Sequence, residues 1–185
     1  MDKKRCFWVN ESLPIYVKYH DEEWGVPVYN DEKLYEMFLL ETFQAGLSWI
    51  TVLNKREAFR EAFDGFDPEK VAAYKEEKLN QLMNNPGIIR NRKKVEAAVK
   101  NTRIFMEIQK EFGSFSNYLW GFTGGTIIVN QDDNFQVKTD LSDQISKDLK
   151  KRGMSFVGSV TIYSYLQAVG VVNDHELGCI CRQHS

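Results

Sequence analysis

The sequence predicts a mainly α-helical protein that folds as one domain over residues 1–185. Three observations predict this. Helix caps and glycine stops recur along the chain, apolar residues follow helical spacing in the longest segments, and no Pro/Gly/Ser-rich linker or internal repeat divides the chain. The 185 residues, with 43% hydrophobic content, are enough for one core of ordinary size.

The first half of the chain contains three predicted helices after an irregular aromatic N-terminal segment. Each begins at a residue whose side chain can cap backbone N–H groups, and glycine or proline marks a boundary of two of them. The helices are predicted over about residues 31–45, 48–63 and from 68 onward, with caps at Asn30 or Asp31, at Ser48 and at Asp67, and a stop at Gly46.

The second half repeats this helical pattern around one segment of different character. Residues 123–140 are β-leaning or irregular, with Gly124-Gly125 as a turn, and we expect little function there. Residues 153–159 (GMSFVGS) form a short glycine-bearing hairpin between two helices. The helices are predicted over about residues 91–112, 114–121, 142–152 and 160–169.

Composition excludes several classes of protein. The net charge of −2 shows no basic excess, so any nucleic-acid contact has to be local. The longest apolar stretches fall short of a membrane span and the N-terminus lacks a secretory apolar region, which predicts a cytoplasmic protein. The chain contains no glycine-rich nucleotide loop, no HExxH and no nucleophilic serine elbow.

The three cysteines do not resemble a disulfide framework, and two of them join histidines in a possible metal site. Cys6 and His20 lie near one end of the chain, while His175 and Cys179 lie near the other. Four such ligands complete a closed tetrahedral zinc site of the structural kind, which would clip the two ends together. The alternative is a set of unrelated histidines and buried thiols, since free cysteine is commonly a core residue.

Glu41 is a candidate site residue because it continues an apolar helical stripe. Leu34 and Phe38 lie on the same predicted face, so the carboxylate points to the buried side. Such a carboxylate either pairs with an arginine or with backbone N–H groups, or serves a binding site. Aromatic residues that could build a cage for a flat cationic ligand occur nearby in sequence, although such residues are also ordinary core: Trp8, Tyr16, Tyr19 and Trp49.

The hairpin at 153–159 is a candidate phosphate-binding element. Backbone N–H groups of a glycine hairpin and of the following helix N-terminus bind anions, and Lys150, Lys151 and Arg152 add positive charge. A plain connection between two helices has the same appearance. The basic run 90–94 similarly fits a solvated helix face.

Seven segments together resemble the bacterial 3-methyladenine DNA glycosylase I family. They are CFWVN, YHDEEWGVP, ETFQAGLSWITVLNKRE, FDPEKVA, GIIRNRKK, KRGMSFVG and VVNDHELGC, which run in order from Cys6 to about Cys179. The resemblance implies a two-lobed helix-hairpin-helix DNA glycosylase architecture. It also implies one structural Zn²⁺ per chain, held by Cys6, His20, His175 and Cys179.

The resemblance assigns roles to further residues. Glu41 is implied to be the catalytic carboxylate, and the flipped base is implied to contact Trp8, Tyr16, Tyr19 and Trp49. Leu47 is implied to be the wedge that enters the base stack, and DNA contacts of the hairpin are expected from Gly153, Phe156, Gly158 and Ser159. Phe43 departs from the family pattern, because a glutamine is common there, whereas Gln44 matches it.

The activity implied by the resemblance is DNA base-excision repair. The enzyme would be a monofunctional hydrolase that cleaves the N-glycosidic bond of 3-methyladenine in double-stranded DNA, releases the free base and leaves an abasic site. A monomer is expected. Asp174 is expected either to support the reacting sugar or to orient the adjacent His175. Two other classes fit the residues alone: a non-catalytic zinc-clipped DNA-binding module and a metal-dependent hydrolase.

Overall fold

The computed structural model describes residues 4–134 and 136–182, so the outermost residues of the predicted domain lie outside the described part. The described residues form mainly helices, as predicted. The elements are α1 (Pro14–Glu22), α2 (Asp31–Gln44), α3 (Trp49–Leu53), α4 (Arg56–Ala62), α5 (Pro68–Ala72), α6 (Glu76–Met83), α7 (Arg92–Phe112), α8 (Phe115–Gly121), β1 (Ile128–Val129), α9 (Asp140–Lys151), α10 (Ser159–Ala168) and β2 (Val172–Asn173).

Helix α2 lies at the centre of the core. The Asn30 side chain caps it by accepting from the Lys33 N–H, and every residue from 34 to 43 is buried. A helix buried on all sides needs neighbours on all sides. Its packing partners are α3, α7, α8 and α10.

Two predictions for the first half of the chain were wrong. The N-terminal segment is not irregular throughout, because Pro14 starts α1 as an N-terminal helix proline. The helix predicted over 48–63 is broken between α3 and α4, where the chain turns at Asn54 and Lys55. The turn is fixed by Lys55, whose Nζ donates to the carbonyl oxygens of Pro86 and Gly87.

The predicted helices of the second half are present, with one shifted boundary. Helix α9 begins at Asp140 instead of Ser142, because Thr139 and Ser142 form a capping box. The β-leaning segment contains β1, which pairs in parallel with β2 through Ile128 and Val172. This short sheet anchors the C-terminal segment. The β-leaning segment therefore has a structural role that the sequence did not indicate.

Among the described residues, no helix combines the length and the apolar character needed to cross a membrane.

Gly170 is expected to be essential for packing where α10 ends against the segment after α1. Its φ is +71°, and an added Cβ would lie 2.3 Å from the carbonyl carbon of Val26. Gly170→Ala should therefore lower the free energy of unfolding by more than about 2 kcal/mol. Gly65 has a similar φ of +73° but open space around it, so Gly65→Ala should cost only about 1 kcal/mol. Equal losses in urea unfolding would contradict this account.

Candidate functional site

A cavity of about 150 Å³ lies beside the C-terminal half of α2. It contains all five residues that the sequence predicted for the catalytic carboxylate and the aromatic cage. The residues that line it are Trp8, Tyr16, Tyr19, Trp24, Glu41, Gln44, Trp49, Ser164 and Gln167.

Glu41 is buried in this cavity, and no described residue forms an ion pair with it. Its side chain is 3% exposed, and its Oε2 has no hydrogen-bond partner among the described residues. Burial raises the pKa of Glu41 to about 8. The sequence left open whether an arginine pairs with this carboxylate. In the structure, the buried Arg56 pairs with other carboxylates instead.

Arg56 pairs with two glutamates other than Glu41. Its Nε donates to Glu36 Oε1 at 2.8 Å, and its terminal nitrogens donate to the Glu23 carboxylate at 2.9 Å. Burial alone would raise the pKa of Glu36, but the nearby positive charges of Arg56, Lys33 and Arg60 together outweigh burial and hold that pKa below its usual range. The fold therefore satisfies one buried glutamate of α2 and leaves the other facing the cavity.

Aromatic rings surround the Glu41 carboxyl group. Tyr19 and Trp49 lie with ring centroids 5.3 Å apart, and Trp8 and Tyr16 lie 5.1 Å apart. The indole Nε1 of Trp49 is buried and donates to no acceptor within the described residues. An unpaired acceptor and an unpaired donor thus line one aromatic cavity, an arrangement that costs free energy unless a ligand pairs with them.

Three lining residues were missed by the sequence analysis. Trp24 packs against Trp8 at 5.0 Å and completes the wall. Ser164 and Gln167 come from α10, and their polarity within a largely apolar helix was the available signal. Gln167 donates from Nε2 to Asp174 Oδ2 at 2.6 Å.

Phe43, where the family pattern has a glutamine, lies in the core and not in the cavity. It is fully buried and packs against Phe59 at 4.8 Å and Phe63 at 5.7 Å. The neighbouring Gln44 does line the cavity, as expected from the matching position.

A buried group of histidines and cysteines that could hold a metal ion lies next to the cavity. The ligand atoms of His20, His175, Cys179 and Cys181 lie within 4.8 Å of one another. Three of these residues were predicted as ligands, and Cys181 was not. The fourth predicted ligand, Cys6, is also buried and its side chain interacts with that of Cys179.

The two histidine rings are oriented by side chains one or two residues away in sequence. His20 Nδ1 lies 2.8 Å from Asp21 Oδ1, and His20 Nε2 lies 3.5 Å from Cys179 Sγ. His175 Nδ1 lies 2.8 Å from Asn173 Oδ1. Asn173 therefore orients His175, and of the two roles that the sequence left open for Asp174, the structure does not support the orienting one.

The Asp174 carboxylate instead belongs to a hydrogen-bond group with α10. Its Oδ2 accepts from Gln167 and from the Tyr163 hydroxyl. Through Gln167 it contacts a residue of the cavity wall.

The predicted wedge and hairpin residues lie outside the cavity. Leu47 is 40% exposed in the loop between α2 and α3, after Gly46 at φ +80°. The predicted hairpin connects α9 to α10, with Gly153 at φ +102° and Phe156 at φ +57°. Gly158 is the N-cap of α10 and has no side chain to cap the first N–H groups, which begin at Ser159.

The fold and site define a helical protein whose aromatic pocket is suited to one flat ring that can pair with a carboxyl group and an indole N–H. The sequence profile of the methyladenine glycosylase family matches residues 8–183. The chain therefore belongs to the methyladenine glycosylase family.

Individual relatives agree with this assignment. DNA-3-methyladenine glycosylase 1 of Escherichia coli K12 is 46% identical over 96% of both chains. A crystal structure of 3-methyladenine DNA glycosylase I superposes with a TM-score of 0.92, at 46% identity, over 96% of this chain and 99% of that one. A variant of 3-methyladenine DNA glycosylase I in complex with 3-methyladenine superposes with a TM-score of 0.89, at 39% identity, over 92% and 93% of the two chains.

Glu41→Gln is expected to stabilise the protein increasingly as pH rises. The folded-state pKa of about 8 exceeds the unfolded value, so the folded state binds the proton more tightly. Wild-type stability is then greatest below the unfolded pKa of about 4.3 and falls, by at most roughly 1.4 kcal/mol per pH unit, until about pH 8. Urea unfolding of both proteins from pH 5 to 9 measures the difference, and a difference independent of pH would contradict the burial of an unpaired carboxyl group.

Proposed function

We propose that the protein removes 3-methyladenine from alkylated double-stranded DNA by hydrolysing its N-glycosidic bond. The observation that carries this proposal is the unpaired carboxyl group of Glu41 within the aromatic cavity. A methylated adenine nucleotide carries positive charge on a flat ring with hydrogen-bonding edges. Aromatic faces attract such a ring, and Glu41 and the Trp49 indole supply the buried polar partners.

The base has to leave the helix to reach this cavity. In our proposal, Leu47 enters the base stack in place of the flipped nucleotide, as its exposure at a loop tip allows. The hairpin holds the DNA backbone through Gly153, Phe156, Gly158 and Ser159. The uncapped N–H groups of α10 and the positive end of its helix dipole attract a DNA phosphate there. This corresponds to a two-lobed helix-hairpin-helix arrangement within one domain, residues 1–185.

Glu41 changes its protonation as the base binds. With a pKa of about 8 the carboxyl group is mostly neutral at pH 7 in the free protein, and a cationic base lowers that pKa by direct attraction. The ionised Glu41 then holds the edge of the base. Because the base is already positively charged, it leaves as a neutral purine without a strong general acid.

The reaction breaks the C1′–N9 bond, and its electron pair neutralises the base. Positive charge develops on the deoxyribose, a water oxygen bonds to C1′, and the water loses a proton. The Glu41 carboxylate stabilises the developing sugar charge electrostatically. No lysine lines the cavity in the described part of the chain, which supports hydrolysis without a Schiff base and without strand cleavage.

Excision is tested with methylated DNA and purified protein. Wild type should release 3-methyladenine. Chromatography measures the released 3-methyladenine and, in the same run, any released 7-methylguanine. Glu41→Gln should reduce the rate about tenfold or more while remaining folded, because the variant lacks the negative charge that the transition state needs. Tight binding without release of any base by wild type would instead favour a non-catalytic DNA-binding module.

We further propose that the histidine–cysteine group holds one structural Zn²⁺ through Cys6, His20, His175 and Cys179. Hydrogen bonds from Nδ1 to Asp21 and Asn173 assign Nε2 of each histidine as the ligand atom. The Cys181 thiol lies on the other edge of His20, 3.9 Å from Nδ1 and 3.7 Å from Asp21 Oδ1. It therefore supports Asp21, while Cys6 beside Cys179 completes the tetrahedron.

Burial raises the pKa of the Cys6 thiol. The ion would offset this effect, because it stabilises ionised thiols. Its closed ligand set gives it no place for water and no part in the chemistry, unlike the zinc of a metal-dependent hydrolase. The protein is proposed to act as a monomer in the cytoplasm, a reducing compartment that fits its three free cysteines.

The ligand set predicts different results for two cysteine variants. Cys6→Ser should lose most of the one equivalent of zinc, because serine is a poor ligand for this ion. Cys181→Ser should retain it and serves as the matched control. Zinc per chain is measured by mass spectrometry after dialysis against a weak chelator. Loss of zinc from Cys181→Ser with retention in Cys6→Ser would reverse the assignment.

A further inference from the structure

Lys94 is a buried lysine that joins α7 to the end of α2. It is 7% exposed, and its Nζ donates to the carbonyl oxygens of Phe43 at 2.8 Å and Ala45 at 2.6 Å. These carbonyls belong to the C-terminal end of α2, where the negative end of the helix dipole favours a cation. The loop that begins there carries Leu47.

Lys94 has no carboxylate partner among the described residues. Burial lowers its pKa, so the ammonium is held at a cost that an apolar residue would avoid. Its ammonium also lies 6.0 Å from the ring centroid of Phe156 in the hairpin. The Lys94 ammonium therefore contacts the start of the Leu47 loop and lies near the hairpin, the two elements proposed to touch DNA.

A second residue of α7 holds the hairpin. Asn101 Nδ2 donates to the Ser155 carbonyl oxygen at 2.8 Å, and the Ser155 N–H donates to Asn101 Oδ1 at 2.9 Å. Lys94 and Asn101 are two helical turns apart on one face of α7, which corresponds to about 10 Å. One rigid helix thus fixes both the loop of Leu47 and the hairpin.

We propose that α7 sets the spacing between the Leu47 loop and the hairpin, and that Lys94 is the positioning residue that aims Leu47 into the DNA. This inference rests on the proposed function. Lys94 does not line the cavity, and it reaches the Leu47 loop through the backbone carbonyl groups of Phe43 and Ala45. Its removal should impair insertion into duplex DNA far more than recognition of the base itself.

The test variant is Lys94→Met, which roughly keeps the length of the side chain and removes the ammonium. The control is Lys110→Met, because Lys110 is an exposed lysine of the same helix. Free 3-methyladenine is titrated by tryptophan fluorescence. Insertion is followed by the fluorescence of 2-aminopurine next to the lesion in a duplex, which does not require base release. The 2-aminopurine signal would therefore still report insertion if the protein released no base.

Lys94→Met should slow insertion and excision by about tenfold to a hundredfold, since a displacement of about 1 Å can cost a hundredfold in rate. Affinity for the free base should change by less than about twofold, and Lys110→Met should behave as wild type. Wild-type insertion by folded Lys94→Met would overturn the proposal. An equal loss of free-base affinity would also overturn it, because it would show a general disturbance of α2.

A double-mutant cycle with Leu47→Ala separates positioning from a merely structural role. If Lys94 acts through Leu47, the double variant should excise no more slowly than the slower single variant. Multiplied effects of the two substitutions would show that Lys94 acts elsewhere and would refute the assignment.

Discussion

A carboxyl group buried without a partner costs several kcal/mol, and the fold around Glu41 has to offset that cost. Helix α2 does so by burying ten consecutive residues, from Leu34 to Phe43, against helices on every side. The same helix contains Glu36, which Arg56 neutralises. The contrast between the two glutamates shows that this fold can pair a buried carboxylate, and that Glu41 Oε2 has no such partner among the described residues.

The walls of the cavity depend on joining the two ends of the chain. Trp8 and Trp24 come from the N-terminal segment, and both pack against the His20 ring, which lies beside Cys179 of the C-terminal segment. The pairing of β1 with β2 holds that C-terminal segment in place. The metal-type group therefore supports the aromatic wall directly, although it stands outside the cavity.

The loop and the hairpin that are proposed to touch DNA depend on a different support. Lys94 and Asn101 of α7 hold the loop that carries Leu47 and the hairpin before α10, so that both are presented by one long helix. The aromatic cavity and the surface formed by the loop and the hairpin are thereby built from separate contacts that share α2. In the proposed function, this division assigns base recognition to the cavity and duplex contact to the loop and the hairpin.

The sequence by itself determined the helices with strong caps and long apolar stripes, and it identified Glu41, four of the aromatic residues around it and three of the four residues of the buried histidine–cysteine group. These follow from local patterns and from strings long enough to resemble one family. The tertiary structure decided what depends on distant partners: that Arg56 pairs with Glu36 and not Glu41, that Asn173 orients His175, and that Lys94 reaches α2. Hydrogen bonds between residues far apart in the chain leave no local pattern, because only the packing of whole helices brings their atoms together.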